Sequence, residues 1–320
     1  MVTYTDLHTM QMDSPCAVAI GFFDGIHLGH RKVLDSMLDF QKDGLSSCVF
    51  SYTVSGQIPQ AKAGLCYLRP LSLKCRYLEE MSVETLVMPA FESFSALTPE
   101  EFARDILREK LQAKVVCCGS DLRYGKNACA DAARLAEDGR RFGFQVRIVP
   151  PVCVDGKRIS SSRIREYIRA GELEKANELL DRPFALDFEV IRGNQLGRTM
   201  AFPTINQAFP KRFVIPKFGV YASVALVDGR CYPAVTNVGV KPTVGSDRVL
   251  AETHIVGYSG DLYGCSVEVR LLKFTRPERK FPDMEQLKAQ IAEDTQQSLD
   301  YLKKQWSRFG KEEKTLYRHR

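Results

Sequence analysis

Residues 21–30 read Gly-Phe-Phe-Asp-Gly-Ile-His-Leu-Gly-His and lie between an apolar run at residues 17–20 and a helical pattern at residues 31–38. A strand that leads through a turn into a helix is typical of a parallel α/β sheet. The first N–H groups of the helix and its dipole attract an anion there, and glycine lets the backbone approach it closely. We predict an anion-binding turn in which His27 and His30 donate hydrogen bonds. The alternative is a tight turn with two surface histidines.

The composition is that of a globular protein with room for two domains. The chain has 320 residues, of which 44% are hydrophobic and 26% are charged. A net charge of +6 without a dominant basic block suits an enzyme of anionic metabolites better than a nucleic-acid-binding protein. There is no apolar run of membrane-spanning length and no secretory signal pattern. We therefore expect small-molecule substrates, neither nucleic acid nor membrane as a partner, and a monomer or weak homo-oligomer.

The ten cysteines are scattered, and none forms a C-x-x-C pair. Several lie inside apolar runs, where free cysteine behaves as a small hydrophobic residue. We predict that most of them are buried free thiols and that the protein is cytoplasmic.

Strand-like and helix-like segments alternate in the first half of the chain. Strands are predicted at residues 46–52, 83–89, 114–119 and 144–149, and helices at residues 71–81, 98–111 and 131–141. The helix that opens at Thr98 has a capping box and a proline at its first position. This order predicts a doubly wound parallel sheet that binds ligands at the carboxyl ends of its strands.

The pattern changes after Arg182. Residues 160–181 are helical with a break at 170–172, and short β-branched and aromatic segments then follow at residues 188–191, 219–226, 231–237, 252–256 and 266–274. Glycine and proline separate these segments, which predicts an antiparallel barrel or sandwich. An amphipathic pattern from Met284 to Trp306 predicts a terminal helix packed on the barrel, followed by a loose tail from Lys311. The predicted domains are residues 1–182 and 183–320.

Two further segments of the first domain carry groups suited to phosphate chemistry. Asp121 lies in a loop that follows a predicted strand, although a simple polar loop explains it equally well. Ser160, Ser161 and Ser162 begin a helix that also carries Arg165. Serine is a common helix cap, but three hydroxyls beside a guanidinium favour phosphate oxygens at the helix start.

The second domain contains a hydroxyl and an amide two residues apart, Thr204 and Asn206. On an extended segment both side chains point to one face, where their oxygens suit a Mg2+ ion that carries a nucleotide. Glu252, on a later predicted strand, is a candidate general base. The alternative for Glu252 is a salt-bridged glutamate of the barrel.

Together these motifs resemble the bacterial family of bifunctional riboflavin kinase/FAD synthetases over essentially the full chain. Residues 21–30 resemble the G-x-F-D-G-x-H-x-G-H element of its adenylyltransferase module, and residues 160–165 resemble its S-S-[ST]-x-I-R element. Residues 197–206 are similar to the kinase motif G-R-x-x-G-x-P-T-x-N, and residues 252–254 to the later E-x-H strand. Further short matches at residues 219–222, 237–243 and 261–264 follow in the family's order.

The resemblance implies an N-terminal nucleotidyltransferase domain and a C-terminal riboflavin kinase barrel with a terminal helix. It implies ATP, riboflavin and FMN as substrates and Mg2+ as cofactor. The implied catalytic residues are Glu252, His27, His30 and Arg165, and the implied metal ligands are Thr204 and Asn206. The implied nucleotide- and phosphate-binding residues are Gly21, Phe23, Asp24, Gly25, Gly29, Asp121, Ser160, Ser161, Ser162, Gly197, Arg198 and Pro203.

Two departures from the family pattern leave alternatives open. The second strand usually continues into an F-x-x-H-P element, but residues 50–56 carry neither its histidine nor its proline, and Ala201 replaces a glycine of the kinase motif. The alternative to a bifunctional enzyme is a riboflavin kinase whose first domain adenylylates poorly. A third reading is a non-catalytic flavin- or nucleotide-sensing protein.

Overall fold

The computed structural model describes residues 1–54, 66–193, 202–243 and 246–316, and within these the side chains of 241–243, 246–247 and 305–316 are not described. Two compact units make up the chain. The first contains Met1–Leu65 and Lys74–Ser160, and the second contains Cys66–Leu73 and Ser161–Arg320.

A six-stranded sheet forms the centre of the first unit, with every strand parallel to its neighbours in the order β1-β4-β3-β2-β5-β8. This confirms the predicted parallel sheet. The strands are β1 (Val2–Tyr4), β2 (Cys16–Ile20), β3 (Ser46–Phe50), β4 (Thr85–Val87), β5 (Ala113–Gly119) and β8 (Gln145–Val149). Strand β2 lies in the middle, and all five of its residues are buried. The 21–30 turn begins directly after the carboxyl end of this strand.

Helices connect these strands. They are α1 (Leu28–Leu38), α2 (Leu71–Glu80), α3 (Pro99–Glu101, continued by a π-helix over Phe102–Lys110) and α4 (Ala132–Phe142). Thr98 and Glu101 form the predicted capping box, in which each side chain accepts the backbone N–H of the other residue. Short 3-10 helices lie at Asp39–Asp43, Phe91–Ser93 and Lys126–Ala128. Two small hairpins that the sequence did not predict, β6 (Arg123–Tyr124) with β7 (Ala130–Asp131) and β9 (Cys153–Val154) with β10 (Lys157–Arg158), complete the unit.

The second unit is a closed antiparallel barrel preceded by helices α5 (Ser161–Ala170) and α6 (Leu173–Leu179). The strand order is β11-β12-β15-β14-β13-β16, and β16 pairs back with β11. This decides between the predicted barrel and sandwich. The strands are β11 (Ala185–Ile191), β12 (Thr204–Ala208), β13 (Gly219–Val227), β14 (Arg230–Thr243), β15 (Ser246–Ile255) and β16 (Ser266–Arg276). Strand β12 was expected to be extended but was not predicted as a strand of the sheet.

The last helix, α7 (Met284–Leu316), packs on the barrel as predicted: Leu302 lies against Val224 and Leu272. It continues through residues 311–316, where we expected a loose tail. None of the helices within the described part of the chain is long and apolar enough to cross a membrane.

The cysteines are free, as expected, but fewer are buried than the sequence predicted. Cys16, Cys48, Cys117 and Cys118 are buried in the parallel sheet. Three others are half-buried and three are exposed, and none of these six lies in the parallel sheet of the first unit.

Candidate active sites

The first candidate site is the turn between β2 and α1. Phe23 and Ile26 have φ values of 49° and 43°, and Gly25 has a φ of 86°. Non-glycine residues rarely adopt this left-handed region, and where they do the surrounding structure must hold them. The turn thus places seven predicted site residues directly after the carboxyl end of β2: Gly21, Phe23, Asp24, Gly25, His27, Gly29 and His30.

His27 is the N-cap of α1. Its Nδ1 accepts the backbone N–H of His30 over 3.2 Å. Because Nδ1 accepts, the neutral ring carries its proton on Nε2. His27 thus both starts the helix and keeps one ring N–H as a donor.

His30 stacks on His27, with ring centroids 3.6 Å apart and an angle of 15° between the planes. Its ring also packs edge-on against Phe23, with the ring centroids 5.4 Å apart. The Nδ1 atom of His30 is buried and has no hydrogen-bond partner among the described residues. A buried polar atom without a partner is costly unless a ligand completes it.

The environment keeps His30 neutral. Burial lowers the pKa of His30 well below 6.5, and the charges of His27 and Lys74 lower it further. At neutral pH the ring therefore offers one N–H donor and one acceptor rather than a positive charge. The sequence predicted that His30 donates a hydrogen bond to a phosphate. The lowered pKa adds that the donor is a neutral imidazole.

Sequence reasoning missed Lys74, which lies on α2 and is 8% exposed. Its Nζ donates to the carbonyl oxygen of Phe22 over 2.8 Å and to the Ser51 hydroxyl over 2.6 Å. The signal was present, because Lys74 shares a helix face with Tyr77 and Leu78, both of which are buried. A lysine on an apolar helix face is a candidate buried charge.

The other residues that the sequence predicts for nucleotide and phosphate binding in the first domain are divided between the two units. Asp121 follows β5, the neighbour of β2, and forms an ion pair with Arg158. Ser160 ends the first unit. Ser161 and Ser162 form the first turn of α5, and Arg165 on the same helix is buried and donates from Nε to the Cys66 carbonyl over 2.6 Å. A phosphate-binding role for these residues stays a prediction.

The positions of the missing F-x-x-H-P element are occupied by an aromatic cluster and a short parallel bridge. Tyr52 lies 4.9 Å from Phe22 and 5.2 Å from Phe91, measured between ring centroids. Thr53, where the family usually has histidine, bridges to Ala90: its N–H donates to the Pro89 carbonyl over 2.9 Å, and its carbonyl accepts the Phe91 N–H over 2.8 Å. Residues 50–54 thus lead from β3 into this bridge, and residues 55–56 of the same segment lie outside the described residues.

The second candidate site lies on three neighbouring strands of the barrel. In register, Asn206 on β12 pairs with Glu252 on β15, and Glu252 pairs with Asn237 on β14. Residues paired in register share one face of a sheet, so these three side chains form a polar row. Thr204 lies on the same face two residues before Asn206. The predicted hydroxyl, amide and carboxylate are thus neighbours.

Asn206 supplies the strongest sign of a ligand in this row. It is 6% exposed, and its Oδ1 has no hydrogen-bond partner within the described part of the chain. A buried amide oxygen beside the Thr204 hydroxyl is the kind of hard donor pair that Mg2+ accepts, with substrate phosphates completing the shell. No cluster of three His, Cys, Asp or Glu side chains suited to a metal occurs among the residues that the structure describes. The Asn206 and Thr204 oxygens therefore suit a Mg2+ ion that is bound to nucleotide phosphates.

The His254 side chain contacts the two residues that precede Thr204. His254 Nδ1 lies 2.9 Å from the carbonyl oxygen of Pro203, and Phe202 packs edge-on against the His254 ring. The predicted residues Gly197 and Arg198, and the departure at Ala201, lie outside the described residues.

Comparisons with known proteins identify two family matches along the chain. A family model described as FAD synthetase matches residues 9–163, and one described as riboflavin kinase matches residues 180–302. The chain is 36% identical over 286 residues to the bifunctional riboflavin kinase/FMN adenylyltransferase of Escherichia coli (strain K12), covering 87% of this chain and 90% of that protein. The protein of the same description from Bacillus subtilis (strain 168) is 32% identical over 293 residues, covering 89% and 92%.

One solved structure is similar over almost the whole chain. A crystal structure described as a macrolide-efflux protein from Streptococcus pneumoniae superposes with a TM-score of 0.79 at 28% identity, covering 92% of this chain and 97% of that one. The activity in that description stays with that protein, since both matching family models describe flavin enzymes.

Proposed function

The chain belongs to the family of bifunctional riboflavin kinase/FMN adenylyltransferases, and from this premise we propose how its residues carry out the two reactions. It phosphorylates riboflavin to FMN with one ATP and adenylylates FMN to FAD with a second ATP, releasing pyrophosphate. The observation that carries the assignment of residues is that each candidate site holds a buried polar atom with no hydrogen-bond partner among the described residues. One is His30 Nδ1 in the first unit, and the other is Asn206 Oδ1 in the second.

In the kinase reaction, the 5'-hydroxyl oxygen of riboflavin attacks the γ-phosphorus of ATP, and the bond to ADP breaks. Glu252 accepts the hydroxyl proton. Asn206 and Thr204 would hold a Mg2+ ion, which would supply positive charge to the phosphates. The polar row in register supports these roles because it places a carboxylate directly beside the amide.

In the adenylyl transfer, a phosphate oxygen of FMN attacks the α-phosphorus of ATP, and the bond to pyrophosphate breaks. The nucleophile is already ionised, so the reaction needs positioning and charge stabilisation rather than a strong base. His27 and His30 donate to the phosphates from the turn. Asp121 contacts the nucleotide or flavin, and Ser160, Ser161, Ser162 and Arg165 bind phosphate.

The domain assignment follows from these roles. We place adenylyl transfer in residues 1–182 and riboflavin phosphorylation in residues 183–320. The ten free cysteines support the cytoplasm as the compartment, and we propose a monomer or weak homo-oligomer without a nucleic-acid partner.

Chromatography of riboflavin, FMN and FAD after incubation with riboflavin, ATP and Mg2+ tests the proposal. FAD is the expected final product. FMN alone would favour the kinase with an inactive first domain, and unchanged riboflavin would favour a sensing protein.

The Glu252→Gln variant tests the kinase site separately. Loss of the general base lowers FMN formation by about 10²- to 10⁴-fold, whereas FAD formation from added FMN stays at the wild-type rate. Glu189→Gln, at an exposed position of β11, is the matched control. A wild-type rate of FMN formation by Glu252→Gln would refute the assigned base.

A further inference from the structure

A buried ammonium lies under the 21–30 turn. Lys74 reaches the turn from α2 and is 8% exposed, and its Nζ donates to one backbone carbonyl, that of Phe22, and to one hydroxyl, that of Ser51. Both acceptors belong to the first unit, as does Lys74. The anion-binding motifs of the sequence do not include it.

Lys74 connects the start of the turn to the end of β3. The Ser51 hydroxyl also donates to the Phe22 carbonyl, over 2.9 Å, and the Gly21 N–H donates to the Phe50 carbonyl over 3.1 Å. These bonds hold the chain just before Phe23, whose left-handed φ of 49° needs support from its surroundings. The cross-link therefore sets the path of the turn toward His27 and His30.

The fold alone does not require a charge at this position. Ser51 by itself satisfies the Phe22 carbonyl, and a methionine would fill a similar volume without the cost of burying an ammonium. Burial lowers the pKa of Lys74 to about 8 against the opposing effect of Asp24, with a smaller contribution from Cys75. A costly buried charge beside a phosphate site is typical of functional groups.

We propose that Lys74 is a positioning residue for adenylyl transfer, whose ammonium fixes the Phe22 carbonyl and holds positive charge beside the phosphates that His27 and His30 bind. The proposal rests on the assignment of adenylyl transfer to the first unit. Lys74 thereby acts by holding the turn in place and by its positive charge. It neither accepts nor donates a proton in the reaction. Its charge also lowers the pKa of His30, which keeps that ring neutral.

The test compares Lys74→Met with wild type, using FMN and ATP for the adenylyl transfer and riboflavin and ATP for the kinase reaction. We expect kcat for FAD formation to fall about 100-fold, because a misplaced turn and a lost charge both act on the transition state. The riboflavin kinase rate should stay within about twofold, and the melting temperature should not fall. Lys42→Met, at an exposed lysine of the same unit, is the matched control.

The dependence on pH provides a readout that a purely structural lysine would not change. The groups that face Lys74 are Asp24 and His30 from the turn, Ser51 from the end of β3, and Cys75 from its own helix. As pH rises through about 8, Lys74 loses its proton, and wild-type FAD formation should fall while the kinase rate does not. Lys74→Arg keeps the charge and should move this fall to higher pH, and Lys74→Met should abolish it.

The outcomes separate the inference from the proposed function. If the wild type makes no FAD, the proposed function fails and the inference fails with it. If the wild type makes FAD and Lys74→Met makes it equally fast, the inference alone is wrong. An unchanged alkaline fall in Lys74→Met, or equal loss of both activities with a lowered melting temperature, would also overturn it.

Discussion

At the scale of single residues, the two histidines of the turn differ in how the fold uses them. His27 caps α1 through Nδ1, so the helix depends on it. His30 contributes no hydrogen bond from Nδ1 to the described protein, although the ring lies between His27 and Phe23. Substitutions at the two positions should therefore separate stability from activity.

His30→Ala should lower FAD formation by about 10²- to 10³-fold, the typical loss for one donor to a transition state. Riboflavin kinase activity should be unchanged, since the barrel belongs to the other unit. The measurement is FAD formation from added FMN, with the exposed His8→Ala as control. FAD formation by His30→Ala at the wild-type rate would refute the role.

His27→Ala should lose activity and also destabilise the first unit by about 1 kcal/mol, because it removes an N-cap. His27→Asn should recover that stability, since asparagine is a good N-cap, without recovering the rate. Thermal unfolding together with FAD formation measures both effects. Recovery of the full rate by His27→Asn would show that the imidazole is only a cap.

The lowered pKa of His30 predicts how stability depends on pH. Between 6.5 and the lower pKa of the folded state, the unfolded chain binds a proton at His30 that the folded protein does not, so stability falls as pH falls through this range. His30→Gln should reduce the drop in melting temperature between about pH 7 and pH 5, and His8→Gln should not. An equal drop in melting temperature in the wild type and in both variants would contradict the lowered pKa of His30.

At the scale of elements, the β2–α1 turn works because small residues let its side chains pack closely. A Cβ at Gly29 would lie 3.1 Å from Cε1 and Nδ1 of His27. At Gly44, by contrast, a Cβ would meet nothing within 4 Å, although its φ of 78° disfavours other residues. Substitutions at the two glycines therefore distinguish the effect of crowding at His27 from the effect of backbone strain away from the site.

Gly29→Ala should lower FAD formation about tenfold or more, because the added methyl group displaces the His27 ring. Gly44→Ala should cost about 1 kcal/mol of stability and leave the rate unchanged. Steady-state rates at saturating FMN and ATP, with melting temperatures, compare the two variants. The explanation fails if the Gly44 variant loses more activity than the Gly29 variant.

At the scale of the whole molecule, our proposal assigns adenylyl transfer to residues 1–182 and riboflavin phosphorylation to residues 183–320, so a variant defective in one reaction should complement a variant defective in the other. His30→Ala makes FMN, and Glu252→Gln converts FMN to FAD. A mixture of the two variants with riboflavin, ATP and Mg2+ should make FAD after a lag, since FMN must pass through solution. If each variant still catalyses its own reaction but the mixture makes no FAD, then FMN does not leave the chain that formed it.

Much of this organisation could be predicted because the signals are local. The apolar run before Gly21, the capping box at Thr98 and the β-branched segments after Arg182 each fix their own element through short-range sterics and hydrogen bonds. Strand β12 was missed as a sheet strand because it is short and polar, and only pairing with β11 and β15 holds it extended.

The sequence by itself determined the two-domain plan, the parallel sheet, the family and the residue types of both sites, because strand–turn–helix order and short motifs act over a few residues. Only the tertiary structure decided that the second unit closes into a barrel, that Asn206, Glu252 and Asn237 form one row, and that Lys74 lies beneath the turn. Those facts depend on strand register and on burial between segments distant in the chain. Burial, in turn, changes the chemistry: it lowers the pKa of His30, which keeps that ring neutral, and it lowers the pKa of Lys74 to about 8.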